Sequence, residues 1–331
     1  MKKALITGIA GQDGSYLAEF LLGKGYQVYG LLKSGTSTQL IDHIKDKIVL
    51  IEGDLLDQES LDKAIEQSMP DEVYHLAALS FVGISWEQPV LTGDVNALGT
   101  TRLLEAIRKI KPDCRIYNAS TAEMFGLTSG IHTEKSTFHP KSPYAISKCY
   151  SYWISVNYRE SFNMFVCSGI MFSHESPRRP ENFVSKKIVK SVVGIKYGKI
   201  DCMYLGNLDV RRDWGFAKDY VEVMWLMLQQ DKPDDYIIST GENHSVREFL
   251  EEAFRAAGIE VESNGKAGIE EEYLRKDTGQ VVVKIAKEFF RPVDLTELRG
   301  SNQKAKEKLG WEPKIKFHEL VRIMVENELN H

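Results

Sequence analysis

The stretch ALITGIAGQDGSYLAEFLL, residues 4–22, decides the fold of this 331-residue chain. An apolar run leads directly into Gly8, Gly11 and Gly14, and apolar residues at helical spacing follow them. This order predicts a buried strand, a tight glycine turn and the first turn of a helix. Glycines let the backbone approach a ligand closely, and a helix N-terminus presents free N–H groups, so the loop indicates a pyrophosphate site. A glycine turn needed only for packing is the alternative.

The same alternation of strand and helix continues through the first half of the chain. Short apolar runs predict further buried strands at 27–33, 47–54, 72–79, 114–120 and 165–172, with helical segments between them. This order predicts an α/β protein with a Rossmann-type, doubly wound parallel sheet. The regularity ends near residue 170, which indicates a smaller, discontinuous C-terminal region that binds substrate at the carboxyl ends of the strands.

The composition argues against a nucleic-acid-binding or membrane protein. The formal charge is −5, 43% of the residues are hydrophobic, and there is no run of 18 apolar residues. The four cysteines, Cys114, Cys149, Cys167 and Cys202, form neither a CxxC pair nor a metal-ligand pattern. They are interpreted as buried thiols in a reducing compartment. We therefore expect a cytoplasmic protein without a bound metal.

The end of the second predicted strand bears on the choice of dinucleotide. An acid about 20 residues after the glycine loop would bind the free 2′-hydroxyl of NAD. The sequence QVYGLLKSGTSTQLID has no acid before Asp42, and its strand ends in Lys33 and Ser34. A cation and a hydroxyl suit a 2′-phosphate, so NADP is predicted in preference to NAD, unless Lys33 is only a solvated surface lysine. Asp54, after the third strand, is placed either to contact the adenine ring or to cap its strand.

A tyrosine and a lysine lie four residues apart in SPYAISK, residues 142–148. Ser142 and Pro143 are typical of the N-cap and first turn of a helix, so Tyr144 and Lys148 should share one helical face. An ammonium group and a helix N-terminus near a phenol both favour the phenolate. Such a tyrosine can exchange a proton with a sugar hydroxyl while hydride moves to or from a nicotinamide. The same spacing also occurs on helices that only pack.

The strand at 114–120 runs into IYNASTAEMFG, residues 116–126, which places Thr121 and Glu123 where a buried strand finishes. A hydroxyl and a carboxylate at that point indicate a site that both side chains face. A surface carboxylate on a loop is the alternative.

Several longer stretches resemble the extended short-chain dehydrogenase/reductase family and, within it, the GDP-mannose 4,6-dehydratases. Besides the glycine loop they are ASTAEMFG, SPYAISKCYSYWISVNYRESF, HESPRR, LGNLDVRRDWGFAKDYVEVMWLMLQQ and TGENHSVREF, spread over nearly the whole chain. We therefore expect residues 1–168 to form an NADP-binding Rossmann domain, with returns near 210–236 and 283–300. The segments 169–209, 237–282 and 301–331 should then form the nucleotide-sugar-binding region.

The resemblance implies a reaction that closes its own redox balance. Thr121 matches the hydroxyl that assists Tyr144 at the sugar C4 oxygen, and Glu123 matches the carboxylate that acts at C5 and C6. Oxidation at C4 acidifies the C5 proton, Glu123 removes it, and the C6 hydroxyl leaves as water. Hydride then returns from NADPH to C6. The expected activity is the conversion of GDP-mannose to GDP-4-keto-6-deoxy-mannose, with Thr121, Glu123, Tyr144 and Lys148 as catalytic residues.

The resemblance also assigns residues to the two ligands. Those expected to contact the cofactor are Gly8, Gly11, Gln12, Asp13, Gly14, Lys33, Asp54, Leu55, Leu76, Ala77, Ala78, Tyr144, Lys148, His174 and Arg179. Those expected to contact the nucleotide sugar are Ser80, Ser85, Thr121, Glu123, Ser173, Lys187, Arg212, Arg291 and Asp294.

Three positions depart from the family pattern. Ser173 stands where the family has Asn, Phe216 stands where it has His, and residues 33–40 replace an arginine- and serine-rich loop. A GDP-heptose or another nucleotide sugar is therefore an alternative substrate. A nucleotide-sugar 4-epimerase or 4-keto reductase, which needs no Glu123, and a non-catalytic dinucleotide sensor are alternative functions. We expect a homodimer through helices at 97–110 and 144–160, with a homotetramer as the alternative.

Overall fold

The computed structural model describes residues 1–126, 130–290 and 297–330 of the chain. Its strands, in chain order, are β1 (Lys3–Thr7), β2 (Gln27–Leu32), β3 (Ile48–Glu52), β4 (Glu72–His75), β5 (Arg115–Thr121), β6 (Ile131–His132), β7 (Phe165–Met171), β8 (Ser173–Glu175), β9 (Met203–Leu205), β10 (Arg211–Arg212), β11 (Trp214–Phe216), β12 (Tyr236–Ile238), β13 (His244–Ser245), β14 (Val261–Ser263), β15 (Glu272–Arg275), β16 (Val281–Ile285) and β17 (Glu297–Gly300). Its α-helices are α1 (Gln12–Gly23), α2 (Gln58–Ser68), α3 (Ile84–Glu87), α4 (Pro89–Gly93), α5 (Gly99–Ile110), α6 (Pro143–Phe162), α7 (Val184–Lys196), α8 (Ala217–Leu228), α9 (Val246–Ala256), α10 (Gln303–Leu309) and α11 (Phe317–Leu329).

The central sheet of the described residues has seven strands in the order β3-β2-β1-β4-β5-β7-β12. All of its pairings are parallel, and Ala4 of β1 lies in register with both Val28 of β2 and Glu72 of β4. The strand order reverses between β1 and β4, where a ligand crevice is expected at the carboxyl ends. The Rossmann-type, doubly wound sheet expected from the sequence is confirmed.

Helices cover both faces of the central sheet. On one face α1 packs against α8, and Leu17, Leu21 and Met224 are fully buried there. On the other face α2, α5 and α6 pack together, with Leu104 and Ile107 buried beneath them. Because both faces are covered, the strands carry apolar residues on both sides, which explains the continuous apolar runs in the sequence.

The C-terminal region has an apolar core of its own. Helices α7, α9 and α11 pack against one another around Val189, Phe249 and Leu320, all fully buried. A four-stranded sheet in the order β14-β15-β16-β9 contributes Val283 to this core. The parallel strands β8 and β11 form a separate pair, and β8 follows directly from β7. The region therefore sits beside the carboxyl edge of the central sheet.

Two parts of the expected chain division differ from the structure. β16, in the segment expected to return to the first domain, pairs with β9 and β15, because its apolar side chains are buried in the core of the C-terminal region. α10, which lies within 301–331, packs against α8 and β12, where Ala305 and Leu309 join the core of the central sheet. Short apolar segments of this kind fit either core, so their spacing alone does not assign them. The division into two ligand-binding regions stays a prediction.

A π-helix, Asp94–Leu98, joins α4 to α5, where the sequence indicates a regular helix. The side-chain amide of Asn96 accepts a hydrogen bond from the N–H of Leu79 (2.8 Å) and donates to the carbonyl of Leu79 (3.2 Å) and the hydroxyl of Ser147 (3.1 Å). A π-turn frequently marks a place where a side chain is re-aimed for a specific contact. Asn96 thereby ties the loop after β4 to the first turns of α6.

Within residues 1–126, 130–290 and 297–330, no helix is both long and apolar enough to span a bilayer. The same residues contain no group of three or more His, Cys, Asp or Glu side chains placed to hold a metal ion. All four cysteines are free thiols. Cys114 and Cys167 are buried, but Cys149 and Cys202 are only half-buried, so the expectation of four buried thiols holds for two.

Candidate active site

A cavity of about 980 Å³ opens at the carboxyl ends of β1, β4, β5 and β7, beside the C-terminal region. The glycine loop, the end of β5, the first turns of α6 and the segments 171–187 and 205–214 line it. Small-molecule sites in proteins usually measure about 300–1,000 Å³, so this cavity lies at the upper end of the range. Its size suits two ligands side by side better than one.

The glycine loop is packed closely against neighbouring backbone. Gly8 has a φ of +73°, and a Cβ atom there would lie 2.9 Å from the backbone nitrogen of Ala77. A Cβ atom on Gly14 would lie 2.2 Å from the carbonyl oxygen of Gly8. Gly11, the N-cap of α1, makes no side-chain capping bond, so the first-turn N–H groups are left for a ligand. The loop therefore fits a dinucleotide pyrophosphate, which accepts hydrogen bonds from such groups.

Polar contacts hold the adjacent ends of β1 and β4. The hydroxyl of Thr7 accepts hydrogen bonds from the N–H groups of Leu76 and Ala77, both at 3.1 Å, and lies 2.9 Å from Nδ1 of His75. Burial, together with the charge of Lys148, lowers the pKa of His75 to about 3. His75 is therefore a neutral imidazole that fixes the backbone beneath the cavity.

The start of α6 follows the expected capping pattern. The hydroxyl of Ser142 accepts the N–H of Ala145 at 3.1 Å, and Pro143 is the first helical residue. Tyr144 and Lys148 lie one turn apart and both line the cavity. The helix therefore presents the phenol and the ammonium group to the same space.

The ionisation of Tyr144 differs from the expectation of a favoured phenolate. Burial raises the pKa of Tyr144 to about 12; a hydrogen bond with Thr121 opposes this, and the charge of Glu123 adds to it. Lys148 donates from Nζ to the carbonyl oxygen of Ala119 at 2.9 Å, and burial lowers the pKa of Lys148 to about 8. In the protein alone, desolvation of the phenol outweighs any stabilisation of the phenolate by the ammonium group.

A short turn after β5 brings a hydroxyl and a carboxylate to the cavity. Thr121 caps the 3₁₀ turn Ala122–Phe125, and its hydroxyl accepts the N–H of Glu123 at 3.3 Å. Gly126 ends the turn with a φ of +65°, and a Cβ atom there would lie 1.7 Å from the carbonyl oxygen of His139. Because the chain passes so close, the turn is fixed, and both Thr121 and Glu123 line the cavity beside Tyr144.

A half-buried ion pair joins the glycine loop to the segment after β7. Nε2 of His174 lies 2.7 Å from Oδ2 of Asp13, and Nδ1 of His174 lies 2.8 Å from the carbonyl oxygen of Phe172. Burial opposes ionisation of His174, but the charge and hydrogen bond of Asp13 outweigh it and raise the pKa of His174. Farther along, Nε of Arg179 lies 3.1 Å from the Glu175 carboxylate. The loop and this segment thus form one polar unit.

Two cations line the end of the cavity next to the C-terminal region. Arg212 is 9% exposed, and Nζ of Lys187 lies 3.5 Å from the ring centre of Phe289. Burial lowers the pKa of Lys187. Asp213, which follows Arg212, has its pKa raised to about 7 by burial, although it accepts hydrogen bonds from the backbone and hydroxyl of Thr240. Partly desolvated cations of this kind suit phosphate groups.

Comparison with known proteins identifies the family. Residues 5–324 match the family model described as "GDP-mannose 4,6 dehydratase". The GDP-mannose 4,6-dehydratase of Yersinia enterocolitica is 48% identical, over 99% of this chain and 94% of the relative. The human GDP-mannose 4,6 dehydratase is also 48% identical, over 97% of this chain and 90% of the relative. The chain belongs to the GDP-mannose 4,6-dehydratase family.

Solved structures agree with the fold of this family member. The UDP-glucose 4-epimerase of Thermus thermophilus, in complex with NAD, superimposes with a TM-score of 0.80 and 29% identity over 98% of each chain. RMD from Pseudomonas aeruginosa, complexed with NADPH, gives a TM-score of 0.80 at 20% identity over the whole of both chains. These likenesses confirm the doubly wound fold.

The cavity of this GDP-mannose 4,6-dehydratase family member brings together most of the site residues expected from its sequence. Those that line it are Gly8, Gly11, Gln12, Asp13, Gly14, Leu76, Ala77, Ala78, Ser80, Thr121, Glu123, Tyr144, Lys148, Ser173, His174, Arg179, Lys187 and Arg212. Their individual roles stay predictions.

Four expected residues lie away from the cavity lining. Nζ of Lys33 and Oδ2 of Asp54 are 2.9 Å apart, so the ends of β2 and β3 carry an ion pair. Leu55 is buried. Ser85 is fully buried, and its hydroxyl donates a hydrogen bond to the carbonyl of Val82 at 2.6 Å, within the same turn of the chain. The expected contact of Ser85 with substrate stays a prediction.

Two further expected substrate contacts, Arg291 and Asp294, lie outside the described residues.

Several aromatic residues of the cavity were missed by the sequence analysis. Phe81, Trp86, Phe183 and Phe289 line it, and the rings of Phe81 and Phe183 meet edge to face at 5.7 Å. In a sequence, an aromatic residue in a loop looks the same whether it faces a ligand or packs in a core. His75 was also missed, although a polar residue at the end of a buried strand is the signal that pointed to Thr121.

Proposed function

We propose that the protein is an NADP-dependent GDP-mannose 4,6-dehydratase, a hydro-lyase that forms GDP-4-keto-6-deoxy-mannose. The observation that carries this proposal is that Glu123 lines the same cavity as Thr121, Tyr144 and Lys148. A 4-epimerase or 4-keto reductase exchanges a proton only at the C4 oxygen, for which Tyr144 and Thr121 suffice. Removal of the C5 proton needs an additional base. Membership of the family and the activity named for its relatives support the same conclusion.

The first step of the proposed reaction takes place at C4. Tyr144 takes the proton of the C4 hydroxyl, and Thr121 hydrogen-bonds to the same oxygen. A dinucleotide held by the glycine loop would supply the hydride acceptor for C4 and the hydride donor for C6. Because burial holds the pKa of Lys148 at about 8, Lys148 is still largely an ammonium group at neutral pH. Tyr144 accepts the C4 proton in its phenolate form, and the positive charge of Lys148 stabilises that form against the effect of burial.

The second step takes place at C5 and C6. With a ketone at C4, the C5 proton is acidic because the carbanion is delocalised into the carbonyl group. Glu123 takes this proton and passes it to the C6 hydroxyl, which leaves as water. The C5–C6 double bond is conjugated with the ketone, so C6 accepts hydride and C5 regains a proton. Oxidation and reduction cancel within one turnover.

The preference for NADP rests on the ends of β2 and β3. Lys33 is the first charged residue after β2, and no acid follows it until Asp42. Its side chain is 61% exposed, and its ammonium group is held by Asp54 at 2.9 Å. A fixed, accessible cation suits a 2′-phosphate, whereas recognition of NAD normally uses an acid at this position. An epimerase that resembles this chain is recorded with NAD, and RMD is recorded with NADPH, so only the local residues decide between the two.

We also propose a homodimer that forms through α6. Ile146, Tyr150 and Trp153 lie on one face of this helix and are 58%, 41% and 58% exposed. Leu98 and Val90, on the neighbouring helical segments that pack against α6, are also exposed. Exposed apolar side chains grouped on neighbouring helices in this way are typical of a protein–protein interface. Four free thiols support a reducing, cytoplasmic location for this dimer.

Proton NMR of the purified protein with GDP-mannose and NADP in D₂O tests the proposed function. We expect a new methyl signal from C6, deuterium at C5 and loss of the C4 proton. The same signature with a GDP-heptose, and none with GDP-mannose, would keep the mechanism and change the substrate. Inversion at C4 with every carbon-bound proton retained would show that the protein is an epimerase.

A further inference from the structure

The two ring nitrogens of His174 both face hydrogen-bond acceptors. Nδ1 is 2.8 Å from the carbonyl oxygen of Phe172, and Nε2 is 2.7 Å from a carboxylate oxygen of Asp13. A carbonyl oxygen has no proton to give. Burial would raise the pKa of Asp13, but the charge and hydrogen bond of His174 and the hydrogen bond from the Gln12 amide (3.0 Å) lower it, so Asp13 is a carboxylate. The ring therefore donates from both nitrogens, which requires an imidazolium ion.

Asp13 occupies an unusual place for a carboxylate. It lies in the first turn of α1 between Gly11 and Gly14, where the backbone is shaped to receive a pyrophosphate. An unpaired negative charge at this point would repel the two charges of that group. The charge of His174 faces Asp13 at hydrogen-bond distance, so the loop meets its ligand without a net negative charge.

The pair also fixes the segment that carries the next site residues. Gln12 donates to the carbonyl of His174 at 3.2 Å and accepts from the hydroxyl of Ser176 at 2.7 Å. Arg178 donates to the hydroxyl of Ser15 at 3.0 Å. The segment after β7 is thereby joined to α1 over several residues, with the ion pair at the end nearest the cavity.

We propose that His174 is a positioning residue whose charged ring acts as the counter-ion of Asp13, so that the dinucleotide pyrophosphate binds a charge-compensated glycine loop. This inference rests on the proposed function only in requiring a dinucleotide ligand. It assigns His174 an effect on cofactor affinity that operates through Asp13. Removal of the histidine charge should therefore lower the affinity for the dinucleotide only while the Asp13 carboxylate is present.

The charged and titratable surroundings of His174 support a stable positive charge. Asp13 faces it from α1, the guanidinium of Arg179 opposes its charge from the loop after β8, and the Tyr220 ring of α8 stacks on it at 4.7 Å. The ion pair with Asp13 outweighs the repulsion from Arg179. The positive charge is lost as the pH rises past the raised pKa of His174.

The proposal is tested by calorimetric measurement of NADP and NAD affinity in the absence of nucleotide sugar. The proteins compared with wild type are His174→Gln, Asp13→Asn and the double variant. We expect His174→Gln to weaken binding about 10-fold or more, which corresponds to a loss of at least about 1.4 kcal/mol. Asp13→Asn is the background for the double variant, which should bind about as tightly as Asp13→Asn alone, because no carboxylate is left there for the histidine charge to compensate. His43→Gln removes another histidine–carboxylate contact, that with Glu19 at 2.7 Å, and is the matched control.

Each outcome decides one question. Unchanged affinity in His174→Gln, or a double variant as weak as His174→Gln alone, overturns the counter-ion role. The affinity difference between wild type and His174→Gln should also shrink as the pH is raised through the raised pKa of His174, because the histidine loses its charge there, and a constant difference contradicts the proposal. If His174→Gln does not fold, as judged by circular dichroism, increased affinity of Asp13→Asn at high pH relative to wild type carries the test. Wild-type protein that binds neither dinucleotide overturns the proposed function itself.

Discussion

The ammonium group of Lys148 donates a hydrogen bond to the main-chain carbonyl oxygen of Ala119, 2.9 Å away. Ala119 lies near the end of β5, two residues before Thr121. The contact fixes a charged group in a buried place, and burial lowers the pKa of Lys148 to about 8. Burial of this charge in the candidate catalytic centre therefore lowers the stability of the folded protein.

Replacement of Lys148 by Met should make the protein inactive but more stable at pH 7. The folded-state pKa is about 8, against 10.5 for a lysine in water, so between these values the unfolded chain binds more protons. The free energy of unfolding of the wild type therefore rises between about pH 8 and pH 10.5. Below pH 8 the destabilisation caused by the buried charge of Lys148 is fully present. We expect a gain of about 2 kcal/mol at pH 7, after allowing for the lost hydrogen bond. Urea unfolding at pH 7 and pH 10 measures it.

The exposed Lys47→Met variant is the control for this experiment and should change stability little at either pH. A Lys148→Met protein that is less stable than wild type at pH 7 would contradict the expectation.

Replacement of Glu123 by Gln should stop dehydration and leave folding intact. The amide keeps the shape of the side chain but has no basicity, so the rate should fall about 10²–10⁴-fold. Exchange of the C5 proton with D₂O should be lost in the same variant. Glu87→Gln, which changes an exposed carboxylate of the same cavity, is the matched control and should keep most activity. Normal turnover in Glu123→Gln would favour an epimerase or reductase.

Two glycine-to-alanine changes on α1 should differ in their effects: one should abolish dinucleotide binding, and the other should keep binding and raise stability. A Cβ atom on Gly14 would lie 2.2 Å from the carbonyl oxygen of Gly8, whereas a Cβ atom on Gly23 has nothing within 4 Å. Gly14→Ala should therefore distort the loop and lose dinucleotide binding. Gly23→Ala should bind normally and gain up to about 1 kcal/mol in unfolding free energy, because alanine restricts the unfolded chain. Calorimetric binding and thermal unfolding compare the two, and equal cofactor affinity would contradict the role of Gly14.

Replacement of Lys33 by Ala should change the cofactor preference. If Lys33 binds the 2′-phosphate, the affinity for NADP falls about fivefold, as expected for a partly exposed ionic contact, and the affinity for NAD does not change. Lys47→Ala, a nearby exposed lysine, is the control. An equal effect on both dinucleotides would place Lys33 outside the 2′-phosphate site.

Replacement of Trp153 by Glu should separate the proposed dimer. The side chain is 58% exposed on the apolar face of α6, so a charge there would be buried without a partner on association. Light scattering after gel filtration should give the mass of one chain for Trp153→Glu and of two for wild type. Val49→Glu alters an exposed apolar residue on β3 and should leave the mass unchanged.

The features that could be predicted from the sequence are those determined by neighbouring residues. The glycine loop, the Ser142–Pro143 helix start and the spacing of Tyr144 and Lys148 depend on a few consecutive positions, and the structure has them as expected. The parallel, doubly wound sheet followed from the alternation of elements.

The features that escaped prediction depend on distant residues. Asp13 and His174 are 161 positions apart in the chain, and nothing local to either indicates the pair. The direction of the Tyr144 pKa shift depends on burial, which spacing does not show.

The position of β12 has a consequence for synthesis of the chain. β7 pairs with β5 on one side and with β12 on the other, and its residues are almost all buried. When a nascent chain has left the ribosome only as far as α7, β7 is an open hydrophobic edge that can pair with other chains. Residues 236–238 close this edge. We therefore expect the growing chain to be prone to aggregation until these residues have been translated.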